Sequence, residues 1–155
     1  MNKILNGKIL PKNQSCPHCG RFDNRGTTVD AVVIKNDQIL LIKRGVEPDK
    51  GKWALVGGYV DWDESVDDAV GREVSEETGL HVKSLKFIGQ YSDPKRHPRQ
   101  TIDSAYLVEV EGKVKAGDDA VDFQWFDINN IPPGLAFDHN QIIKDCLKII
   151  VLENI

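Results

Sequence analysis

The chain is predicted to adopt an α/β fold in which a mixed β-sheet lies between helices, and three observations predict it. Short runs rich in Val, Ile, Phe and Tyr recur along the chain at strand length. Two longer segments, one beginning at Glu64 or Ser65 and one at Asp138, space their apolar residues with a helical period. The order, strands then helix then strands then helix, matches layered α/β packing rather than an all-α or all-β domain. A length of 155 residues is enough for one buried core.

Residues 1–26 read as a polar extension carrying Cys16-Pro17-His18-Cys19-Gly20, and the folded domain is expected over 27–155. Strands are predicted over 29–35 and 39–43, with Asn36-Asp37 as the turn between them. Pro48, Gly51 and a cluster of charges mark a loop to about residue 52. Residues 53–60 read as short extended pieces broken by a flexible Gly57-Gly58. The first helix ends at Thr78, with Gly79 as its left-handed stop. Strands over 82–90 and 102–110 bracket a loop containing Pro94 and Pro98, and a turn at 117–119 leads to a strand over 121–127, with Trp125 expected in the core. Asp138 reads as the N-cap of the last helix, with Gln141 three residues on. The stripe Ile142, Ile143, Cys146, Leu147, Ile150 is its core face.

Composition narrows the function classes. Charged residues make up 28% and the net charge is −4, which argues against a nucleic-acid platform. No apolar run approaches the ~18 residues of a membrane span. The first residues lack a signal-peptide core, so a cytoplasmic location is expected. With three cysteines in all, Cys16 and Cys19 form half a zinc knuckle without a second pair, so zinc is not expected there and a simple turn with free thiols is.

The chemistry concentrates at 58–80. Glu73, Glu76 and Glu77 fall within about one helical turn. On a helical wheel Glu73 and Glu77 lie beside the apolar stripe of Val66, Val70 and Val74, while Asp68, Gly71, Ser75 and Thr78 take the far face. Inward carboxylates repel one another and need partners, and a hard divalent cation with oxygen ligands meets that need. A cation of this kind beside a basic loop is equipment for hydrolysing a phosphoanhydride.

These residues resemble a known family signature. Gly58, Glu64, Arg72, Glu73, Val74, Glu76, Glu77, Gly79 and Leu80 occupy the nine defined positions of the Nudix box, GX5EX7REUXEEXGU with U aliphatic. The resemblance implies a Nudix α/β/α sandwich from about residue 27 onward and hydrolysis dependent on Mg2+ or Mn2+. It implies Glu73 and Glu77 as metal ligands, Glu76 as a ligand or the water-activating base, and a backbone carbonyl near Gly57 completing the shell. Glu64 would act behind the ligands or through water. Arg72 would orient the carboxylates, its plainer alternative being a surface pair with Asp68. At Gly58 a turn role and close approach to the metal coincide.

Substrate choice is expected outside the box. The segment Ser92-Asp93-Pro94-Lys95-Arg96-His97-Pro98-Arg99 is stiffened by two prolines and carries two guanidinium forks suited to phosphate. It is similar to the SDPxRDPRxH-like loop of small ADP-ribose pyrophosphatases. It departs from that loop at His97, where Asp is frequent, and at Gln100-Thr101, where Gly-His is common; Val56 likewise stands where Pro is frequent. Asp93, Arg96, Arg99 and Arg44 are therefore candidates for substrate contact, with a basic surface loop or a homodimer contact as the alternative for the loop. Gly117-Asp118-Asp119-Ala120 resembles the loop near the catalytic water in that subfamily, so Asp119 is a candidate for positioning water, against a plain polar turn. Trp53 or Trp62 could stack on a base or simply pack. Asn140 is a candidate base contact within a segment read first as a cap.

The resemblance thus implies hydrolysis of a nucleoside diphosphate linked to another moiety, with ADP-ribose cleaved to AMP and ribose 5-phosphate as the leading substrate. NADH, FAD and UDP- or GDP-sugars are the alternatives within enzymes, and an idle nucleotide sensor is the alternative outside them. The expected partner is a small-molecule nucleotide, with no nucleic acid and no membrane.

Overall fold

The computed structural model describes residues 4–5, 8–9, 15, 20, 24–115 and 120–153. Cys16, His18 and Cys19, and Asp118 and Asp119, lie outside the described residues. Two short strands, β1 (Ile4–Leu5) and β2 (Lys8–Ile9), pair with each other. The main sheet is built from β3 (Thr27–Lys35), β4 (Gln38–Arg44), β5 (Trp53–Ala54), β6 (Val56–Tyr59), β7 (His81–Tyr91), β8 (Ile102–Glu111) and β9 (Ala120–Asp127). The helices are α1 (Val66–Thr78) and α2 (His139–Glu153).

Strand β3 is the hinge of this sheet. One edge pairs in parallel with β8, which in turn pairs antiparallel with β7. The other edge is shared: the first half of β3 pairs with β6, and its far end turns back onto β4. The β3–β4 turn places Asn36 and Asp37 at φ 50° and 57°, a two-residue hairpin geometry that Asn and Asp tolerate. Strand β4 then carries β5 and β9. The sheet is therefore mixed, as the element order predicts.

Alternation along the strands divides the core in two. Val29, Ala31, Val33, Leu40 and Ile42 pack with Ala69, Val70 and Val74 of α1. Val32, Ile39, Leu41 and Ala105 pack with Ile142, Ile143 and Cys146 of α2 on the opposite face. The helices thus lie on opposite faces of the sheet, the sandwich expected. Leu147 and Ile150 finish the α2 stripe only half-buried.

Several local readings need correction. Gly57-Gly58 does not break the chain; both lie within strand β6, and neither takes a positive φ. They are glycine because a Cβ at Gly57 would fall 2.0 Å from the Val29 carbonyl oxygen, and one at Gly58 would fall 2.3 Å from Glu73 Oε1. Thr78 is buried rather than on the outer face, its hydroxyl donating to the Val74 carbonyl and accepting the Leu80 N–H. Ser65 is the N-cap of α1, accepting the Asp68 N–H, and Gly79 closes the helix at φ 68°. Asp138 does not cap α2 with its carboxylate: Arg96 takes both oxygens, and Gln141 reaches Asp145 instead. Trp125 is half-buried at the rim of the α1-side core.

Candidate active site

Strand β6 separates two sets of polar groups. On the α1 side Glu73 and Glu77 face the sheet, as the helical wheel predicts. Glu77 accepts the Gly57 N–H at 3.0 Å. Burial pushes its carboxyl up to about 8, and the nearby Glu73 and Asp30 charges add to that effect. Glu73 is also raised by burial, with Arg72 opposing. Glu76 is more exposed, its side chain retaining 60% of its accessible surface.

Arg72 ties this cluster together. Its Nη1 donates to Glu73 at 2.8 Å and to Glu76 at 3.3 Å, its Nε and Nη2 donate to Glu64 at 3.0 and 2.6 Å, and Nη2 also donates to the Tyr59 carbonyl. The Arg72 contacts, with help from the Asp61 N–H, hold Glu64 down to about 2. Arg72 thus bonds carboxylates of the signature, and Asp68 turns instead to Ser65.

The chemistry of the donor set fits a hard cation. Two carboxylates from one helix converge on glycine backbone that leaves no Cβ between them, and burial disfavours their charge in the absence of a countercharge. Among the described residues no three His, Cys, Asp or Glu side chains are drawn together tightly enough to enclose an ion. Glu73 and Glu77 are the ligands this site would offer, with Glu76 and Glu64 held by Arg72 behind them.

Beside these carboxylates opens a cleft of about 460 Å3. Glu73, Glu77, Gly57 and Gly58 line it together with Arg44, Arg96, His97, Arg99, Phe137 and His139. Arg99 Nη1 lies 3.3 Å from the Tyr59 hydroxyl, and its N–H donates to His97 Nδ1. Arg44 stacks over the Phe137 ring at 4.8 Å while donating to the Pro48 carbonyl. Phe137 is held at φ 51° with its N–H bonded to Asp49, and its ring lies 4.5 Å from that of His97.

Other candidates lie away from the cleft. Trp53 packs edge-on against Phe126 at 5.1 Å under Lys43, and Trp62, 73% exposed, does not line the cleft. Asn140 is exposed on the first turn of α2, and Asp93 is exposed with its carboxylate bonded to the Lys95 N–H. Neither lines the cleft.

The sequence reading missed the polar group beneath the cleft on the α2 side. Asp30 and Asp103 are buried side by side on neighbouring parallel strands. His139 Nδ1 accepts the Leu55 N–H, which places the ring proton on Nε2, 3.2 Å from Asp30. Burial opposes the charge on Asp30, but His139 and Arg96 hold its carboxyl below the usual value. Burial and the Asp30 charge push Asp103 up to about 9. An acid inside an otherwise apolar strand, VDAVVI or IDSAYLV, was the available signal.

With this geometry in view, comparison with known proteins identifies the relationship. A NUDIX domain model matches residues 24–146. The chain belongs to the Nudix family. It is 48% identical to an ADP-ribose pyrophosphatase of Methanocaldococcus jannaschii over 122 residues, 77% of this chain and 72% of that protein. It is 31% identical to a Pseudomonas aeruginosa NAD-capped RNA hydrolase, NudC, over 76% of this chain but only 42% of the relative's length. Among solved structures, a MutT/nudix protein of Enterococcus faecalis superposes with TM-score 0.76 at 31% identity, covering 89% of this chain and 65% of that one. The Nudix domain of Shewanella oneidensis NrtR, solved with ADP ribose, superposes with TM-score 0.74 at 26% identity, covering 87% and 93%.

Proposed function

We propose that this Nudix pyrophosphohydrolase cleaves ADP-ribose with water to AMP and ribose 5-phosphate, using Mg2+ or Mn2+ held by Glu73 and Glu77. The observation that carries the reading is one cleft lined both by the half-buried carboxylates of Glu73 and Glu77 and by the guanidinium groups of Arg44 and Arg99. The 48% identity to an ADP-ribose pyrophosphatase supports the choice of substrate. Nudix hydrolases use divalent cations, and such a cation supplies charge to the phosphate oxygens and acidifies a bound water.

The protein's own groups divide the remaining work. Arg72 fixes the Glu73 and Glu76 carboxylates, so they need not reorganise when charge develops. Glu76, the more exposed, is the candidate to accept the proton from water. Arg99 and Arg44 face the diphosphate, and the Phe137–His97 pair offers an aromatic surface to a base or ribose. Asp119 is retained as a candidate water-positioning acid, and a homodimer as a candidate assembly.

The test is a panel of ADP-ribose, NADH, FAD and UDP- and GDP-sugars with products identified by mass. ADP-ribose is expected to give AMP and ribose 5-phosphate with the highest kcat/KM. Faster turnover of NADH or FAD would replace ADP-ribose by a dinucleotide as the substrate. Tight ADP-ribose binding without turnover of any panel member would mean a sensor.

A further inference from the structure

We propose that Arg96 is a positioning residue, which acts on the bound diphosphate by locking the loop 92–101 against α2 and not by touching the phosphate. The proposal rests on reading the cleft as a diphosphate site, and it assigns the two arginines of the loop different tasks.

The Arg96 side chain is 3% exposed. Its Nε and Nη2 form a two-pronged pair with Asp138 at 2.8 and 2.7 Å, and Nη1 donates to Thr101 Oγ1 at 3.1 Å. Asp30 lies 3.7 Å and Asp103 4.0 Å from Nη2. The fork is thus spent on protein oxygens, and a phosphate reaching it would enter a ring of carboxyl groups.

The same pair explains why Asp138 leaves the first turn of α2 without a carboxylate cap. Its oxygens anchor the loop to the helix that also presents His139. From the other side, Arg25 donates to the Ser92, Gln100 and Thr101 carbonyls. Between these anchors the chain makes two tight turns, Arg96 N–H to Asp93 oxygen and Gln100 N–H to His97 oxygen, with Gln100 at φ 56°. Arg99 rides on the second turn with its side chain in the cleft. A guanidinium held in place before the ligand arrives loses less entropy on binding it.

The experiment is a double-mutant cycle on Arg96→Ala and Asp138→Ala, with ADP-ribose and Mg2+, beside amide hydrogen exchange of the ligand-free proteins. Each single substitution is expected to raise KM about tenfold with kcat within about twofold, and the double to cost no more than either alone. Exchange across 92–101 should accelerate in both single variants, and Arg96→Lys should not rescue KM, since it lacks the fork. Direct contact predicts otherwise: Asp138→Ala near wild type and unchanged exchange across 92–101 in Arg96→Ala, and either of these overturns the proposal. Should Arg96→Ala fail to fold, Arg96→Lys and Asp138→Asn carry the same cycle. If the wild type does not turn over ADP-ribose, the substrate reading has failed, while the exchange measurement still decides the role of Arg96.

Discussion

Replacing Glu77 by glutamine should stabilise the metal-free protein at alkaline pH while disabling it as an enzyme. The carboxyl of Glu77 sits at about 8 against an ordinary 4.5, chiefly because it is buried, with Glu73 and Asp30 adding charge. Between those values the folded state binds the proton and the unfolded state has released it. Stability therefore falls as pH rises from about 4.5 to about 8 and levels off above. At ~1.4 kcal/mol per pH unit the ceiling is roughly 5 kcal/mol; water reaching the open cleft reduces this to about 2–3 kcal/mol. Glutamine has nothing to ionise, yet its side-chain oxygen can still accept the Gly57 N–H. In EDTA the variant should thus melt roughly 5–10 °C above wild type at pH 8.5, and close to it at pH 5. Mg2+ should narrow the gap at pH 8.5 by stabilising wild type, and turnover of Glu77→Gln at saturating Mg2+ should fall by about 10² or more. Melting curves at two pH values, with and without metal, read all of this. A variant no more stable than wild type at pH 8.5 in EDTA, or one with near-normal turnover, would refute the account of Glu77 as a buried, metal-seeking carboxylate.

Other substitutions probe the remaining parts. Gly58→Ala puts a methyl group 2.3 Å from Glu73 Oε1, so turnover should drop at least about tenfold as that carboxylate is displaced. Gly71→Ala, on the helix that carries Glu73 and with nothing within 4 Å of the new Cβ, should keep activity and raise the melting temperature by about 2–4 °C; a loss of activity in both variants would mean that displacement of the carboxylate is not what Gly58→Ala reports. Arg99→Ala should lower kcat/KM for ADP-ribose about ten- to a hundredfold, mostly through KM, with poor rescue by lysine; an unchanged KM would remove Arg99 from the site, and a change of solution mass would assign it to a dimer contact. Cys16→Ser with Cys19→Ser should retain hydrolase activity, and elemental analysis of the wild type should find less than one zinc per chain; one tightly held zinc, with unfolding on chelation, would reverse that expectation.

Much of the α1 side of the candidate site was legible because it is local. Three carboxylates and an arginine on one helix are placed by the 3.6-residue repeat, and Ser65 and Gly79 mark where that helix starts and stops. The strand alternation that divides the core between α1 and α2 is equally a property of neighbouring residues. The Gly57-Gly58 pair was visible but misread, because the requirement for glycine comes from Val29 and Glu73, partners distant in sequence.

Only the tertiary structure decided which charged groups are free to meet a ligand. Arg96 and Arg99 look alike in the sequence and both border the cleft, yet Asp138, 42 residues away from Arg96, engages the fork of that buried arginine while Arg99 stays exposed. Parallel pairing of β3 with β8 brings Asp30 to Asp103, and α2 lowers His139 onto Asp30 from a segment that read as a simple cap. A periodic pattern specifies which face a side chain takes, because the backbone repeat is short-range. Which partner waits on that face depends on chain crossings, and those are settled by burial of the whole core.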